Sequence, residues 1–241
     1  RLAVLLPYRD REEQLSAFVP KLSEYLAAQA IAFDVFVVEQ TPRYAFNRGA
    51  LLNAGVALLA GTDYDHFALH DVDTLPAEGV VPYAFPDGER PLHLTPPGLH
   101  PNVDYPDFFG GCSIFSRSQF EAVNGYGTNF WGWGKEDDNM RDRLIKRHMW
   151  PPQRPQVPPR QRGYYFRHQR HAKAPELRSR REGTEFLKQL PDEPYKDALI
   201  INAQPHVYQD HTTGLDSTRF LLKSISSAHG ATKFTVELFR D

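Results

Sequence analysis

The sequence predicts an α/β fold with a mostly parallel central sheet and an antiparallel strand pair at its C-terminal end. Three observations predict it. Short, continuous apolar runs suit strands buried on both faces; the segments between them carry apolar residues at helical spacing; and two alternating apolar runs around Gly230 close the chain.

Leu2-Ala3-Val4-Leu5-Leu6 is the first strand, ended by Pro7. Asp10 precedes a helix with the spacing Leu15, Phe18, Val19, Leu22, Tyr25, Leu26, in which Pro20 predicts a kink. Phe33 to Val38 is a second buried strand. Asn47 suits the N-cap of a helix carrying Leu51, Leu52, Val56, Leu58 and Leu59, and His66 to His70 is a third strand ending at Asp71-Val72-Asp73. Strand, helix, strand, helix, strand implies βαβ units. Prolines 76, 82, 86, 91, 96, 97, 101 and 106 then force a long irregular excursion, of the kind that shapes a site. Phe109 to Phe115 returns as a strand, and Ser116 is a candidate cap for a short helix over 119–123. Residues 124–134 form a loop rich in glycine and aromatics, and a helix over 136–149 stops at Trp150-Pro151-Pro152. Tyr164 to Arg167 is a strand candidate, 174–210 is polar with a helix at 184–190, and 218–225 with 232–239 form the terminal pair. The length suits one domain over 1–241.

Composition excludes several classes. The chain is 41% apolar, 24% charged and 12% aromatic, as expected of a folded globular protein rather than a disordered or fibrous one. With 28 Lys+Arg against 30 Asp+Glu there is no global basic field to collect nucleic acid. The single cysteine, Cys112, leaves no internal disulfide and no thiolate cluster for zinc. No apolar run approaches the roughly 18 residues that cross a bilayer. The start at Arg1, inside a strand, suggests that an upstream segment, with any membrane anchor, has been cut away.

Four motifs carry chemistry. Asp71-Val72-Asp73 sets two carboxylates at the C-terminal end of a strand, where open α/β sheets bind ligands and where hard oxygens invite Mg²⁺ or Mn²⁺; a solvated turn is the alternative. His168-Gln169-Arg170-His171 offers two imidazoles that close on one ion if the backbone turns; surface histidines in an arginine-rich stretch are the alternative. Trp131-Gly132-Trp133-Gly134-Lys135-Glu136-Asp137-Asp138 joins glycine-flanked indoles to three acids at a helix start. The macrodipole accounts for acids there but not for the indoles, whose faces stack on the C–H faces of sugars while carboxylates accept hydrogen bonds from hydroxyls. Pro7-Tyr8-Arg9-Asp10-Arg11 and Phe46-Asn47-Arg48 present arginine forks suited to phosphate, or ordinary surface arginines. No G-x-G-x-x-G or P-loop occurs.

Taken in order, Pro7 to Arg11, Phe46-Asn47-Arg48 with Leu51-Leu52-Asn53, Asp71-Val72-Asp73, Phe109-Gly110-Gly111, Asn124-Gly125, Phe130 to Asp138 and Gly214-Leu215-Asp216-Ser217 resemble the beta-1,4-galactosyltransferase family across nearly the whole chain. The resemblance implies a GT-A type, Rossmann-like nucleotide-sugar transferase fold. Residues 1–75 would form the nucleotide-binding half and 76–241 the acceptor-binding, metal-completing half. It implies Mn²⁺-dependent, inverting transfer of galactose from UDP-galactose to a saccharide or glycoconjugate hydroxyl in β-1,4 linkage. By position, Pro7, Arg9, Arg11, Phe46 and Arg48 would hold the uridine diphosphate with Asp71, Val72 and Asp73, and Trp133 would close over the donor. Asp73, His168 and His171 would bind the metal. Phe108, Trp133, Gly134, Glu136 and Asp138 would face the acceptor, and Asp137 would be the general base.

Two departures stand out. The family's remaining metal ligands commonly read Met-x-x-His or His-x-His, and this chain reads His168-x-x-His171 or, in the other register, places Arg170 where a second His should be. Arg cannot ligate, which favours the first. Phe108 replaces a Tyr beside the donor's C2, keeping the bulk that favours galactose over N-acetylgalactosamine but losing the hydroxyl. Another UDP-sugar donor, a metal-dependent phosphoesterase using Asp71, Asp73, His168 and His171 on a phosphorylated substrate, and a non-catalytic carbohydrate-binding relative are the competing readings. Eukaryotic relatives sit in the Golgi lumen as type II membrane proteins, whereas a microbial relative would be cytoplasmic.

Overall fold

The computed structural model describes residues 1–86, 88–170 and 202–240. Its strands are β1 (Leu2–Tyr8), β2 (Phe33–Gln40), β3 (His66–His70), β4 (Thr74–Pro76), β5 (Leu92–His93), β6 (Cys112–Ser116), β7 (Phe166–His168), β8 (Phe220–Ala228) and β9 (Ala231–Leu238). The helices are α1 (Glu12–Ala27), α2 (Arg48–Leu58), α3 (Arg117–Ala122), α4 (Glu136–Lys146) and the single turn α5 (Pro205–Tyr208). Seven strands form one sheet in the order β5-β6-β3-β1-β2-β9-β8, while β4 and β7 make a separate two-stranded ribbon. β1 is parallel to β2 and β3, and β9 runs parallel on β2; β6 returns antiparallel to β3, and β8 and β5 are antiparallel edges. The sheet is therefore mixed around a parallel centre, and the C-terminal hairpin extends it rather than standing apart.

Every residue of β1 is buried, and alternation divides them between two cores. Leu2, Val4, Leu6 and Tyr8 meet Leu15, Phe18, Val19, Leu22 and Leu26 of α1. Ala3 and Leu5 meet Leu51, Leu52 and Val56 of α2 on the opposite face. Asn47 caps α2, its side chain accepting from the Ala50 N–H at 2.9 Å, and Ser116 caps α3 in a reciprocal capping box with Gln119.

Three expectations shift. β1 continues through Pro7 to Tyr8, because both sheet faces there are covered by core residues and proline lacks only the N–H of one ladder bond. Pro20 lies within the single helix α1, whose apolar stripe is intact. α4 ends at Lys146, followed by His148 at φ 59° and a Met149 N–H that turns back to the Leu144 carbonyl at 2.8 Å. β7 lies one to two residues later than the strand expected at 164–167 because it is held by β4, Thr74 facing His168. The helix expected at 184–190 lies outside the described residues.

This topology gathers the site. The parallel strands β1, β2 and β3 end at one edge, so Tyr8 to Arg11, Gln40 to Phe46 and Asp71 to Asp73 converge there. Antiparallel β6 begins at the same edge, with Cys112 opposite His70, which delivers Gly110 and Gly111 beside Asp71. α4 is locked in place by Arg143, a 3% exposed cation. Its guanidinium donates to Asn139 Oδ1 at 2.7 Å and to the carbonyls of Thr213 at 2.5 Å, Val123 at 3.3 Å and Gly125 at 3.4 Å. Arg143→Met would keep the stem's packing and orphan these carbonyls, so we expect a loss of roughly 3 kcal/mol. That corresponds to a melting temperature lower by roughly 6–12 °C in thermal denaturation; an unchanged melting temperature would show that the carbonyls find water instead.

Candidate active site

Arg48, at the first turn of α2, is the hub. Its Nε donates to Asp71 Oδ1 at 2.7 Å, Nη1 to Asp137 Oδ1 at 3.2 Å and Nη2 to the Gly111 carbonyl at 3.4 Å. The guanidinium also lies over the Tyr126 ring at 5.6 Å. One cation thus joins the end of β3 to the start of α4. The resemblance put Arg48 on the diphosphate; the structure aims its fork at two carboxylates.

The carboxylates outnumber it. Burial pushes the Asp137 carboxyl well above its usual range, with Arg48 pulling the other way and Glu136 and Asp71 adding to the rise. Burial likewise raises Glu136 and Asp71 against the same arginine. Asp138 stands apart, paired with Lys135 at 2.8 Å and Arg141 at 3.8 Å. A pocket with three crowded acids and one arginine favours an incoming cation or hydroxyl donors.

Gly110 makes the tight packing here possible. A Cβ at that position would stand 2.5 Å from Asp137 Oδ2 and 2.7 Å from Phe108 Cε2. Its carbonyl is held by His93 Nε2 at 2.9 Å and Thr95 Oγ1 at 3.1 Å, so the backbone has little freedom to retreat. Gly110→Ala should therefore displace Asp137 or Phe108 and lower kcat by roughly 10²-fold; wild-type turnover of the folded variant would contradict this packing account.

Asp73 and His168 face one another across the β4–β7 ribbon. The carboxylate Oδ2 is 3.7 Å from the imidazole Nδ1, and the Gln169 N–H donates to the Asp73 carbonyl at 2.7 Å. One hard oxygen and one borderline nitrogen, both at the sheet's ligand edge, fit a divalent ion of the Mn²⁺ type. His171 lies outside the described residues, and among the described residues no group of three His, Cys, Asp or Glu side chains is assembled around one point.

Arg9 donates to the Tyr44 carbonyl at 2.8 Å and covers the Phe46 ring at 5.4 Å, so Arg9 and Phe46 form one wall at the ends of β1 and β2. Pro7 and Val72 are buried beneath this edge, and Arg11 sits at the entry to α1. The two tryptophans divide their labour. Trp131 packs against Tyr44 at 5.5 Å and Arg240 at 4.9 Å, whereas Trp133 is 50% exposed. Between them Gly132, at φ 87°, donates its N–H to the Phe46 carbonyl at 2.7 Å, a backbone shape that favours glycine; Gly134 closes the loop before α4.

Sequence reasoning missed three contributors. Asn202, 1% exposed, donates to the carbonyls of Trp131, Trp133 and Gly134 at 3.0–3.4 Å and so fixes the tryptophan loop. Tyr126 supports Arg48. Tyr105, 46% exposed, stands edge-on to Phe108 at 5.4 Å; its hydroxyl is pushed up to about 12 by burial and then by Asp138 and Asp137. An aromatic exposed in a proline-rich loop was the one available signal, and it belonged to Tyr105.

Residues 1–85 match the model of the N-terminal region of glycosyl transferase group 7, and residues 90–171 that of the N-terminal domain of galactosyltransferase. The crystal structure of the catalytic domain of Drosophila beta1,4-galactosyltransferase 7 with xylobiose superposes with a TM-score of 0.81 at 31% identity, over 100% of this chain and 94% of that one. The chain belongs to the beta-1,4-galactosyltransferase family. Its fold is the family's GT-A type. A variant of the same Drosophila enzyme, in complex with manganese, UDP-Gal and xylobiose, superposes equally well, with a TM-score of 0.81. Among curated family members, beta-1,4-galactosyltransferase 7 of Drosophila melanogaster is 41% identical over 144 residues, which is 60% of this chain and 44% of that protein. The xylosylprotein 4-beta-galactosyltransferase of Caenorhabditis elegans is 37% identical over 145 residues, 60% of this chain and 50% of that protein. The matches thus span half or less of the length of these relatives.

Proposed function

We propose that this protein is a Mn²⁺-dependent, inverting galactosyltransferase that moves galactose from UDP-galactose to the 4-hydroxyl of a saccharide acceptor. The observation that carries the reading is the Arg48 hub: a crowded carboxylate, Asp137, pushed up by burial and paired with one cation at the rim of a half-exposed aromatic surface. Asp137 takes the proton from the acceptor hydroxyl as that oxygen attacks the sugar's anomeric carbon from the face opposite the diphosphate, so one displacement inverts the centre. Trp133 and Tyr105 supply stacking faces for the acceptor, and Glu136 and Asp138 accept from its other hydroxyls.

Asp73 and His168 would hold the divalent ion, with His171 as a further candidate ligand. Its chemistry there is to offset charge building on the departing diphosphate. Arg9 and Phe46 would flank the nucleotide, with Arg11, Pro7 and Val72 at the same edge. Phe108, 7% exposed and ringed by His93, His100 and Tyr105, keeps a fixed wall that favours galactose over its bulkier 2-acetamido counterpart.

The names of similar proteins point to a xylose-terminated acceptor and, being animal enzymes, to the Golgi lumen as the compartment. The test is UDP release with Mn²⁺ across UDP-sugars and acceptors. We expect UDP-galactose to be used well ahead of UDP-N-acetylgalactosamine, with release stimulated by a β-xyloside. Release that ignores both the sugar and the acceptor would point instead to hydrolysis of a phosphorylated substrate.

A further inference from the structure

One buried imidazole beside the pocket has no part in the network above. His100 is 8% exposed and sits in the turn where its own N–H and that of Leu99 donate to the Pro96 carbonyl. Its Nδ1 accepts the backbone N–H groups of Asn102 at 3.1 Å and Val103 at 2.9 Å. A ring nitrogen that accepts two N–H groups carries no proton, so the neutral ring's hydrogen lies on Nε2. That Nε2 has no hydrogen-bond partner among the described residues, and it is not among the sealed, unsatisfied buried atoms.

The ring's surroundings say what it would meet. His100 packs edge-on against Phe108 at 4.8 Å and lies 3.0 Å from where a Gly111 Cβ would stand. Asp73 and His168 are near enough to act on it electrostatically. The ring therefore packs on Phe108 and beside Gly111, within electrostatic reach of the proposed metal pair, with a donor-only Nε2–H. Burial lowers the ring's pKa to about 4, against the opposing pull of Asp73, so it stays a neutral donor at physiological pH. A neutral donor can serve an anion here without competing with the metal for Asp73, as a lysine or arginine would.

We propose that His100 is a substrate-contacting residue whose Nε2–H donates to an oxygen of the nucleotide sugar's diphosphate, beside Asp73 and His168. The proposal rests on the reading of this pocket as a nucleotide-sugar site. Negative charge grows on the diphosphate as the bond to the sugar breaks, so this hydrogen bond strengthens toward the transition state and acts on kcat as well as on affinity.

The competing role is purely structural: Nδ1 shaping the loop that carries Tyr105 and Phe108. His100→Asn separates the two, because the amide oxygen can accept at the Nδ1 position while the distal donor is lost; His100→Gln reaches the Nε2 position with a donor. By calorimetry in Mn²⁺, we expect His100→Asn to weaken UDP binding roughly tenfold while leaving uridine binding and the melting temperature near wild type. Its kcat with UDP-galactose should fall roughly 10²-fold, and His100→Gln should recover part of both losses. Wild-type UDP affinity and turnover in His100→Asn would overturn the proposal, as would equal losses of UDP and uridine with a lowered melting temperature. If the wild-type protein transfers no galactose at all, the function proposed above fails, whereas the UDP-against-uridine comparison still judges His100.

Discussion

Asp137→Asn is expected to lower kcat for galactose transfer by about 10³-fold while Mn²⁺-dependent UDP binding persists. The asparagine fills the same space but cannot take the acceptor's proton, and Arg48 retains Asp71 as a partner at 2.7 Å. Folding should not suffer. Burial raises the Asp137 carboxyl in the folded protein, so its ionised form costs stability at every pH above its unfolded value, and a neutral amide removes that cost. The variant should therefore melt at or above the wild-type temperature at pH 7. The same shift predicts that kcat/KM rises with pH along an acid limb lying above the ordinary carboxylate range of about 4, as the base loses its proton. Normal turnover in the variant, or an acid limb at or below that range, would remove Asp137 from the role of base.

Asp73→Ala should have an effect of similar size through a different step. It removes one of two described donors and leaves His168 alone on the β4–β7 ribbon. Activity should fall on the order of 10³-fold, since a metal clamp on a leaving diphosphate supplies several kcal/mol, and UDP should no longer bind more tightly when Mn²⁺ is added. Calorimetry of UDP with and without Mn²⁺ checks this directly. A variant that keeps the metal-dependent gain would place the ion elsewhere. The contrast matters more than either loss: Asp137→Asn spares metal-dependent binding, and Asp73→Ala does not.

The parallel centre of the fold was legible because burial on both faces leaves a plain mark. Leu2 to Leu6 and His66 to His70 are apolar runs too short for helices, and the turn chemistry of Asn47 and Ser116 marks where helices begin. Asp71-Val72-Asp73 and the tract from Trp131 to Asp138 stood out because crowded acids and glycine-flanked indoles are costly to assemble, and the fold brings Asp71 and Asp137 onto one arginine. What periodicity could not show is pairing between distant segments. Arg48 was readable as an arginine fork, but its contact with Asp137 was not, because nothing local announces a contact across that separation. Asn202 looks like any polar residue until its amide is found on three carbonyls of the tryptophan loop. Pro7 inside β1 was misjudged for the complementary reason: local rules penalise proline, and burial of the flanking Leu6 and Tyr8 in the core outweighs one missing N–H.

The most direct measurement of the central claim is the stereochemistry of the product by NMR, after incubating the protein with UDP-galactose, Mn²⁺ and a β-xyloside. The account predicts one galactose joined to the xylose 4-oxygen in β linkage, its anomeric centre inverted from that of the donor. An α-linked product, or free galactose with the xyloside untouched, would contradict it.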